Sequence, residues 1–569
     1  MQSHRMCLKL LLAFALLLLQ CVQGGEVSRK HRDANVTGRC IEKERQALLA
    51  FKRGLVDESD VLSSWGSEIQ KQDCCRWIGV SCSNQTGHVL QLDLSYKVMD
   101  LSYKVMDKPY YSLEGKMISP KLIELQYLHH LDLHWINFNG SQFPNFIGSL
   151  SNLRYLDLSD TLLGGKFPSQ VGNLTNLQHL DLSFNDFTNV ENLDWLPLLS
   201  SLRYLDLSGT NLSNVFDWPE AINKLPELTN LTLWQCDLPS PILSPLSYIN
   251  SSKSLASVDL YFNHLSTSIF LWLSNYNTSL VYLDLTYNFL ADSIPDVLGN
   301  MSTLTHLDLS NNQLEGGDPH SFSRLCSLQA LDLSSNILSG QLSKFVQILF
   351  STCAQNSLEI LDLSSNHLAG SLPDLTNLSS LEVLRLNNNK LSGGIPESIG
   401  GMSKLNTIAF HMNSLEGVIS ETHFSTLSKL QDLDLSSQNS SNSLVLDIHA
   451  DWIPPFQLYS IKLGSCKMGL HFPKWLQTQK QIIDVDISDA GISDILPSWF
   501  WSLCRNMQSM NLTGNQIRGS FPDLTLEFSD ASFNNLRLDL SSNKLEVQLL
   551  VYYLLTSQEI MFLEKFQIA

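Results

Sequence analysis

The sequence predicts an α/β-type solenoid, and three observations predict it. The phrase Leu-x-Leu-x-x-Asn-x-Leu recurs from one end of the chain to the other. Clear copies start at Leu180, Leu283, Leu307, Leu331, Leu361 and Leu384, and weaker ones at Leu131, Leu156, Leu205, Leu231, Val258, Ile408, Leu433, Ile461, Val485, Met510 and Leu538. Successive starts fall 24 residues apart (283 to 307, 307 to 331) or 25 (131 to 156), with outliers of 30 (331 to 361) and 23 (361 to 384). A fixed period of this length marks a stack of small units, each too small to bury its own apolar face. The third observation is size: 569 residues, 43% of them hydrophobic, exceed one ordinary core but suit an array.

Within each copy, alternating leucines send one side of a short strand inward. The Asn stands where the chain leaves the strand, and its amide is suited to pair backbone groups of its own coil and the next. Asn185, Asn263, Asn288, Asn312, Asn336, Asn366, Asn389, Asn413, Asn515 and Asn543 hold this place. Thr161, Thr210, Cys236 and Cys466 replace it with small side chains that can donate, so Cys236 and Cys466 are expected as ladder residues rather than a disulfide. Several copies continue with a Gly or Ser, an apolar residue and a Pro: Gly165 to Pro168, Ser293-Ile294-Pro295, Ser371-Leu372-Pro373, Gly394-Ile395-Pro396 and Gly519 to Pro522. This predicts a second extended piece that the Pro ends.

The N-terminus reads as a secretory signal over 1–24. Arg5 and Lys9 precede the apolar run Leu10 to Leu19, which is too short to span a bilayer, and Val22-Gln23-Gly24 supplies small residues for cleavage near Gly25. Secretion makes Cys40, Cys74, Cys75 and Cys82 disulfide candidates. The segment from Cys40 through Ala47, Leu48, Phe51 and Leu55 has one apolar helical face. It leads through Leu62-Ser63-Ser64-Trp65 to Asp73-Cys74-Cys75-Arg76-Trp77, Gly79-Val80 and Cys82.

Cap and repeat together resemble the plant-specific leucine-rich-repeat proteins over residues 25 to about 546. The resemblance implies a right-handed superhelix with a parallel sheet on the concave face and a disulfide-bonded N-terminal cap. It implies a cap over 25–90, in which Cys40 pairs with one of Cys74 and Cys75 and Cys82 with the other. The repeat array is assigned to 91–546. Among such proteins, the stretch Leu444 to Phe456 with Asp451-Trp452, Phe472-Pro473-Lys474-Trp475-Leu476, and Asp494 through Pro497 to Trp499-Phe500-Trp501 resemble the receptor-like proteins of the fungal-xylanase-receptor type. Cys326 and Cys353, about one repeat apart, are expected as a further disulfide. Asp93 to Met99 is repeated at once as Asp100 to Met106, a tandem duplication expected to loop out over about 93–120. Residues 547–569 match neither repeat nor cap and read as a truncated or mis-spliced end, since full-length members continue through more repeats, a membrane span and a cytoplasmic tail.

Catalytic motifs, phosphate loops and metal-ligand spacings do not occur, so no enzyme, cofactor or metal is expected. A net charge of -19 speaks against nucleic acid. Asp157, Asp181, Asp206, Asp284, Asp308, Asp332 and Asp362 recur once per copy and are expected as a solvated face. His129, His130, His134, His179, His306 and His411 are expected as ordinary surface residues. Sequons stand at Asn35, Asn84, Asn139, Asn173, Asn211, Asn230, Asn250, Asn277, Asn300, Asn377, Asn439 and Asn511, expected to carry glycans on the flanks and leave the concave face open. On that face most copies carry Asp and Ser. The departures Trp135, Trp234, Tyr261, Phe262, Tyr287, Arg385 and His411, with His134, Gln235 and Met412, are the candidate ligand contacts, and Trp135, Trp234 and Tyr261 are expected to share a patch.

The resemblance implies an extracellular ectodomain of a receptor-like protein. It would bind a microbial or endogenous protein or peptide in defence or development, and signal through partner receptor kinases where the full-length form exists. The alternatives are a secreted inhibitor of microbial wall-degrading enzymes, similar to the polygalacturonase-inhibiting proteins, or a non-functional truncated remnant. The expected location is the secretory pathway, the plasma membrane for the full-length family and the apoplast for this chain, with no membrane span of its own.

Overall fold

The computed structural model describes residues 39–95, 113–188, 190–241, 254–316, 320–350, 357–437, 444–500, 503, 507–520, 537–546 and 566–567. The signal segment, Asn35, Asn250, Asn439, Cys353, Cys504, Trp501 and Pro522 lie outside them. Each coil contributes a short strand, from Val89–Asp93, His130–Asp132 and Tyr155–Asp157 to Ser509–Asn511 and Arg537–Asp539. Each strand pairs in parallel with the next in one unchanging register: Leu92 faces Leu131, Leu131 faces Leu156, Leu156 faces Leu180. Burial enforces that register. Leu92, Leu131, Leu156 and Leu180 are all fully buried, and a slip of one residue would turn every one of them to water.

The second extended pieces form their own short sheets beside the first. Gly164–Lys166 pairs with Asp186–Thr188, and a longer run links Ala291–Ser293, Gln313–Gly316, Ile337–Gln341, His367–Gly370, Lys390–Gly393 and Ser414–Leu415. Pro168, Pro295 and Pro396 then lead into single turns of 3-10 helix at Ser169–Asn173, Asp296–Asn300 and Glu397–Gly401. Pro cannot continue a strand ladder but fits ahead of a helical turn.

The asparagines join coil to coil. Asn312 Nδ2 donates to Leu285 O in the preceding coil (2.9 Å) and to Leu309 O in its own (3.1 Å), while its Oδ1 accepts from Leu290 N (3.0 Å). Asn263, Asn288, Asn336, Asn366 and Asn389 repeat the pattern. Cys236 and Cys466 are free, buried thiols in this position, and their Sγ atoms donate to Leu207 O (3.3 Å) and Leu435 O (3.2 Å). The thiol takes over one of the amide's roles.

The cap closes the first edge of the sheet. Its helix, Glu42–Lys52, buries Ala47, Leu48 and Phe51, and strand Val80–Cys82 lies antiparallel to Val89–Asp93. An exposed edge would offer unpaired backbone groups to other chains. Cys40 bonds Cys74 and Cys75 bonds Cys82, with Cα atoms 5.4 and 5.3 Å apart. Glu44 is buried and accepts from Val89 N (2.7 Å), tying helix to first strand.

Two segments differ from the sequence reading at their edges. Leu92-Asp93-Leu94 is itself a copy of the repeat phrase. Leu94 is fully buried and its N donates to Asp132 O, so the chain up to Ser95 belongs to the first coil. Glu114–Gly115 pairs with Leu55–Val56, so both edges of the segment expected to loop out over 93–120 belong to the described fold, and 96–112 lies outside the described residues. In the tail, Phe566–Gln567 pairs in parallel with Leu538–Asp539. Among the described residues no helix is long and apolar enough to cross a membrane.

Candidate ligand-binding face

The side chains that point away from the core line the concave face in lanes, one residue per coil. The lane at the start of each strand carries His130, Tyr155, His179 and Tyr204 in consecutive coils. Their rings stack at 4.1, 4.1 and 4.2 Å between centroids, nearly parallel. These histidines are therefore not the scattered surface residues that single-copy inspection suggests. Burial, opposed by Asp132 and reinforced by His130, pushes His179 down to about 4.

The neighbouring lane holds the aspartates, and it is not a solvated face. Asp132, Asp157, Asp206 and Asp362 are buried, because each carboxylate lies between neighbouring strands and bonds the chain two residues on, as Asp157 Oδ1 accepts from Ser159 N (3.0 Å). Burial, with the adjacent carboxylates adding repulsion, pushes Asp284 up to about 6 and Asp332 to about 7. Burial, and then repulsion from Asp206 and Asp157, also holds Asp181 well above its ordinary value. Three groups bring carboxylate and imidazole atoms within 4.8 Å: Asp93–His130–Asp132, Asp132–His134–Asp157 and Asp157–His179–Asp181. In the second, His134 Nδ1 holds Asp132 Oδ1 at 2.7 Å.

The candidate contacts lie where the chain leaves the strand. The residue just before the ladder position adopts a left-handed backbone in coil after coil: Trp135 at φ 64°, Phe184 at 51°, Gln235 at 53°, Phe262 at 54°, Tyr287 at 52° and Met412 at 56°. Other coils put Asn311, Asn388, Gly209 or Gly514 there, residues that tolerate this region. A large aromatic in it costs roughly 1–2 kcal/mol, strain of the kind that collects at functional positions.

Trp234, Tyr261, Phe262 and Tyr287 come together as one aromatic row. Trp234 meets Tyr261 edge-on at 5.4 Å, Tyr261 meets Tyr287 at 5.6 Å, and Phe262 lies 6.1 Å from both tyrosines. Trp234, Phe262 and Tyr287 remain 37%, 48% and 47% exposed. The row continues to Phe184, which the sequence reading missed although it occupies the same slot as Phe262. Phe184 reaches Trp234 edge-on at 5.0 Å across the coil of Gly209. A Cβ on Gly209 would stand 3.1 Å from the Phe184 ring, so the glycine leaves room for that crossing.

Trp135 does not join the row. It lies two strands from Phe184 and four from Trp234, the latter on the order of 19 Å at the usual strand spacing, and its side chain bonds Asp160. Arg385 stands further along the sheet, 3.5 Å from Asp362. His411 Nδ1 is 3.1 Å from Asp434 Oδ2; burial alone would push Asp434 up, but bonds from His411 and Ser436 hold it below its ordinary value. Cys326 is disulfide-bonded. Of the sequons, Asn84, Asn139, Asn173, Asn211, Asn300 and Asn377 are exposed and Asn277 half-buried. Asn230 and Asn511 depart from the expectation of an open concave face, since both sit in the strands that build it.

A curved sheet of leucine-rich coils, closed at one end by a disulfide-bonded cap and carrying aromatics on its inner side, defines the class: a leucine-rich-repeat ectodomain. The leucine-rich-repeat N-terminal domain model matches residues 41–83, and leucine-rich-repeat models match 152–174, 278–338, 357–378 and 380–402. Receptor-like protein EIX1 of Solanum lycopersicum is 39% identical over 87% of this chain and 55% of its own length. Receptor-like protein EIX2 of the same plant is 39% identical over 94% of the chain and 57% of its own. The chain belongs to the plant leucine-rich-repeat receptor-like proteins, and it spans about half the length of these two relatives. The receptor kinase HAESA of Arabidopsis, solved with the peptide hormone IDA and the co-receptor SERK1, shares the fold with a TM-score of 0.56 at 23% identity, over 92% of this chain and 97% of its own.

Proposed function

We propose that this chain is the extracellular ligand-binding part of a plant receptor-like protein. In this reading it holds a microbial or endogenous protein or peptide against the aromatic row on its concave face, and signals through partner receptor kinases in defence or development. The observation that carries the reading is the row itself: Phe184, Trp234, Tyr261, Phe262 and Tyr287 in mutual contact, partly exposed, with three of them in left-handed backbone where other coils place Asn, Ser or Gly. Solvent-facing aromatics fixed by their neighbours supply large contact area at low entropic cost, and such residues dominate binding energies. The kinship to receptor-like proteins supports recognition rather than catalysis.

The test is binding of secreted fungal xylanase and polygalacturonase to the full chain by biolayer interferometry, with the enzymes' activity followed in parallel. A complex that leaves the enzyme active, and that weakens at least tenfold in Trp234→Ala/Tyr261→Ala, supports a receptor face. A complex that silences the enzyme supports the inhibitor instead. Unchanged affinity in the double variant removes the row as the contact.

A further inference from the structure

We infer that Asn230 carries an N-linked glycan that stands on the concave face itself, packed beside the ring of Tyr204. The glycan then closes the side of that face beside the His–Tyr stack and leaves the aromatic row as the surface open to ligand. The last clause rests on the proposed function; the site does not.

Asn230-Leu231-Thr232 is a complete sequon and also an inner strand of the sheet. The disulfides Cys40–Cys74 and Cys75–Cys82 place folding in an oxidising compartment, where such sequons are modified. Leu231 points into the core, so Asn230 and Thr232 point out. In register, Asn230 lies between Tyr204 and Ser257. Its Oδ1 accepts from Thr229 Oγ1 (2.8 Å), while among the described residues its Nδ2 makes no hydrogen bond.

Asn511-Leu512-Thr513 is the same tripeptide and gives the contrast. Asn511 falls in the aspartate lane, where its Nδ2 donates to Asp486 Oδ2 (3.0 Å) and its Oδ1 accepts from Thr513 N and Oγ1. A sugar on that nitrogen would leave it one hydrogen and crowd the Asp486 carboxylate bound there. On Asn230 it displaces nothing.

The surroundings of Asn230 also suit a sugar. The His130–Tyr155–His179–Tyr204 stack ends at this strand. Tyr204 gives one ring face to His179, and among the described residues no second ring stacks on it. The first N-acetylglucosamine, amphipathic like the ring, sets its apolar face there. In the transfer, Asn230 Nδ2 attacks the anomeric carbon of a lipid-diphosphate-linked oligosaccharide. The carbon–nitrogen bond forms as the carbon–oxygen bond to the diphosphate breaks, the lipid diphosphate leaves with the electron pair, and the amide proton passes to base. No redox partner is required. Strands lie about 4.8 Å apart, so a branched glycan covers more than one coil of the first lane. The aromatic row lies four to five residues further along each coil, outside the first lane.

The experiment uses the full chain secreted from plant cells. Peptides are released with peptide N-glycosidase A in heavy-oxygen water and sequenced by mass spectrometry. Labelled Asp at position 230, with unmodified Asn at 511, is expected; unmodified Asn230 in secreted protein overturns the site. Hydroxyl-radical footprinting of wild type, Thr232→Ala and Thr232→Ser then tests the placement. Tyr204 oxidation should rise several-fold in Thr232→Ala, which loses the sequon but keeps Asn230, and not in Thr232→Ser, while Tyr287 stays constant. Equal Tyr204 oxidation in all three overturns the placement. Neither readout uses a ligand, so the receptor reading stands or falls separately on Trp234→Ala/Tyr261→Ala.

Discussion

Asp332→Asn should stabilise this protein, but only at neutral and alkaline pH. Asp332 is held to about 7, against an ordinary 3.8, by burial and then by Asp362 and Asp308 in the adjoining strands. Its proton is therefore bound roughly a thousandfold more tightly in the fold, worth ~4 kcal/mol at ~1.4 kcal/mol per tenfold. Partial exposure to solvent screens the repulsion and halves this to ~2 kcal/mol. The sign follows from which state releases the proton first. Well below pH 3.8 both states are protonated and nothing is lost. As pH rises above 3.8 the unfolded chain ionises while the fold does not, so stability falls with pH until the folded carboxyl ionises near 7. Asn carries no charge and keeps the oxygen that accepts from Ser334 N at 2.8 Å. The variant should gain ~2 kcal/mol at pH 8 and near zero at pH 4. Urea midpoints by tryptophan fluorescence, with amide exchange of the coils from Leu307 to Leu363, would measure this without assuming that an array unfolds in one step. No gain at pH 8 refutes the assigned burial of charge. An equal gain at both pH values shows that packing, not ionisation, is responsible.

Other substitutions read other parts of the architecture. Asn312→Ala should cost ~1–3 kcal/mol, because it leaves Leu290 N unpaired inside the array, while Leu285 O keeps its bond from Asn288 Nδ2 at 3.1 Å; a loss under ~1 kcal/mol in urea melts would mean that water replaces the amide. Glu44→Ala should destabilise the cap by ~1–3 kcal/mol through the unpaired N–H of fully buried Val89, seen as faster exchange of the Val89–Asp93 amides; unchanged exchange would count against the tie. Burial pushes the Cys236 thiol above its ordinary range and raises Cys466 to about 12. Both thiols should resist maleimide in the native state and react only on unfolding. Rapid native labelling would contradict their place in the ladder.

What could be read from the sequence, and what could not, divides along the direction of the physics. Everything that repeats along one coil was legible: the inward leucines, the turn asparagines and their cysteine substitutes, the Pro-ended second strand and the capping helix. Each is set by residues close in sequence, and one copy explains the next. What was misread runs across coils. Seven aspartates taken one at a time look like solvated side chains; set side by side at strand spacing they are wholly or partly buried, and Asp284 and Asp332 among them resist ionisation. His130, Tyr155, His179 and Tyr204 share no phrase with each other, yet equal register stacks them into one column. Trp135 resembles Trp234 on paper and stands four strands away from it, whereas Phe184 was passed over and reaches Trp234 because Gly209 has no side chain to stop it. In a solenoid the neighbours that decide chemistry lie one period ahead and one behind. Candidate residues are therefore best read down the columns of the repeat, and the columns require the register that the outliers of 30 and 23 residues hide. The same logic separates Asn230 from Asn511: two identical tripeptides, one in the first outward column beside Tyr204, the other in the aspartate column with its nitrogen already bound.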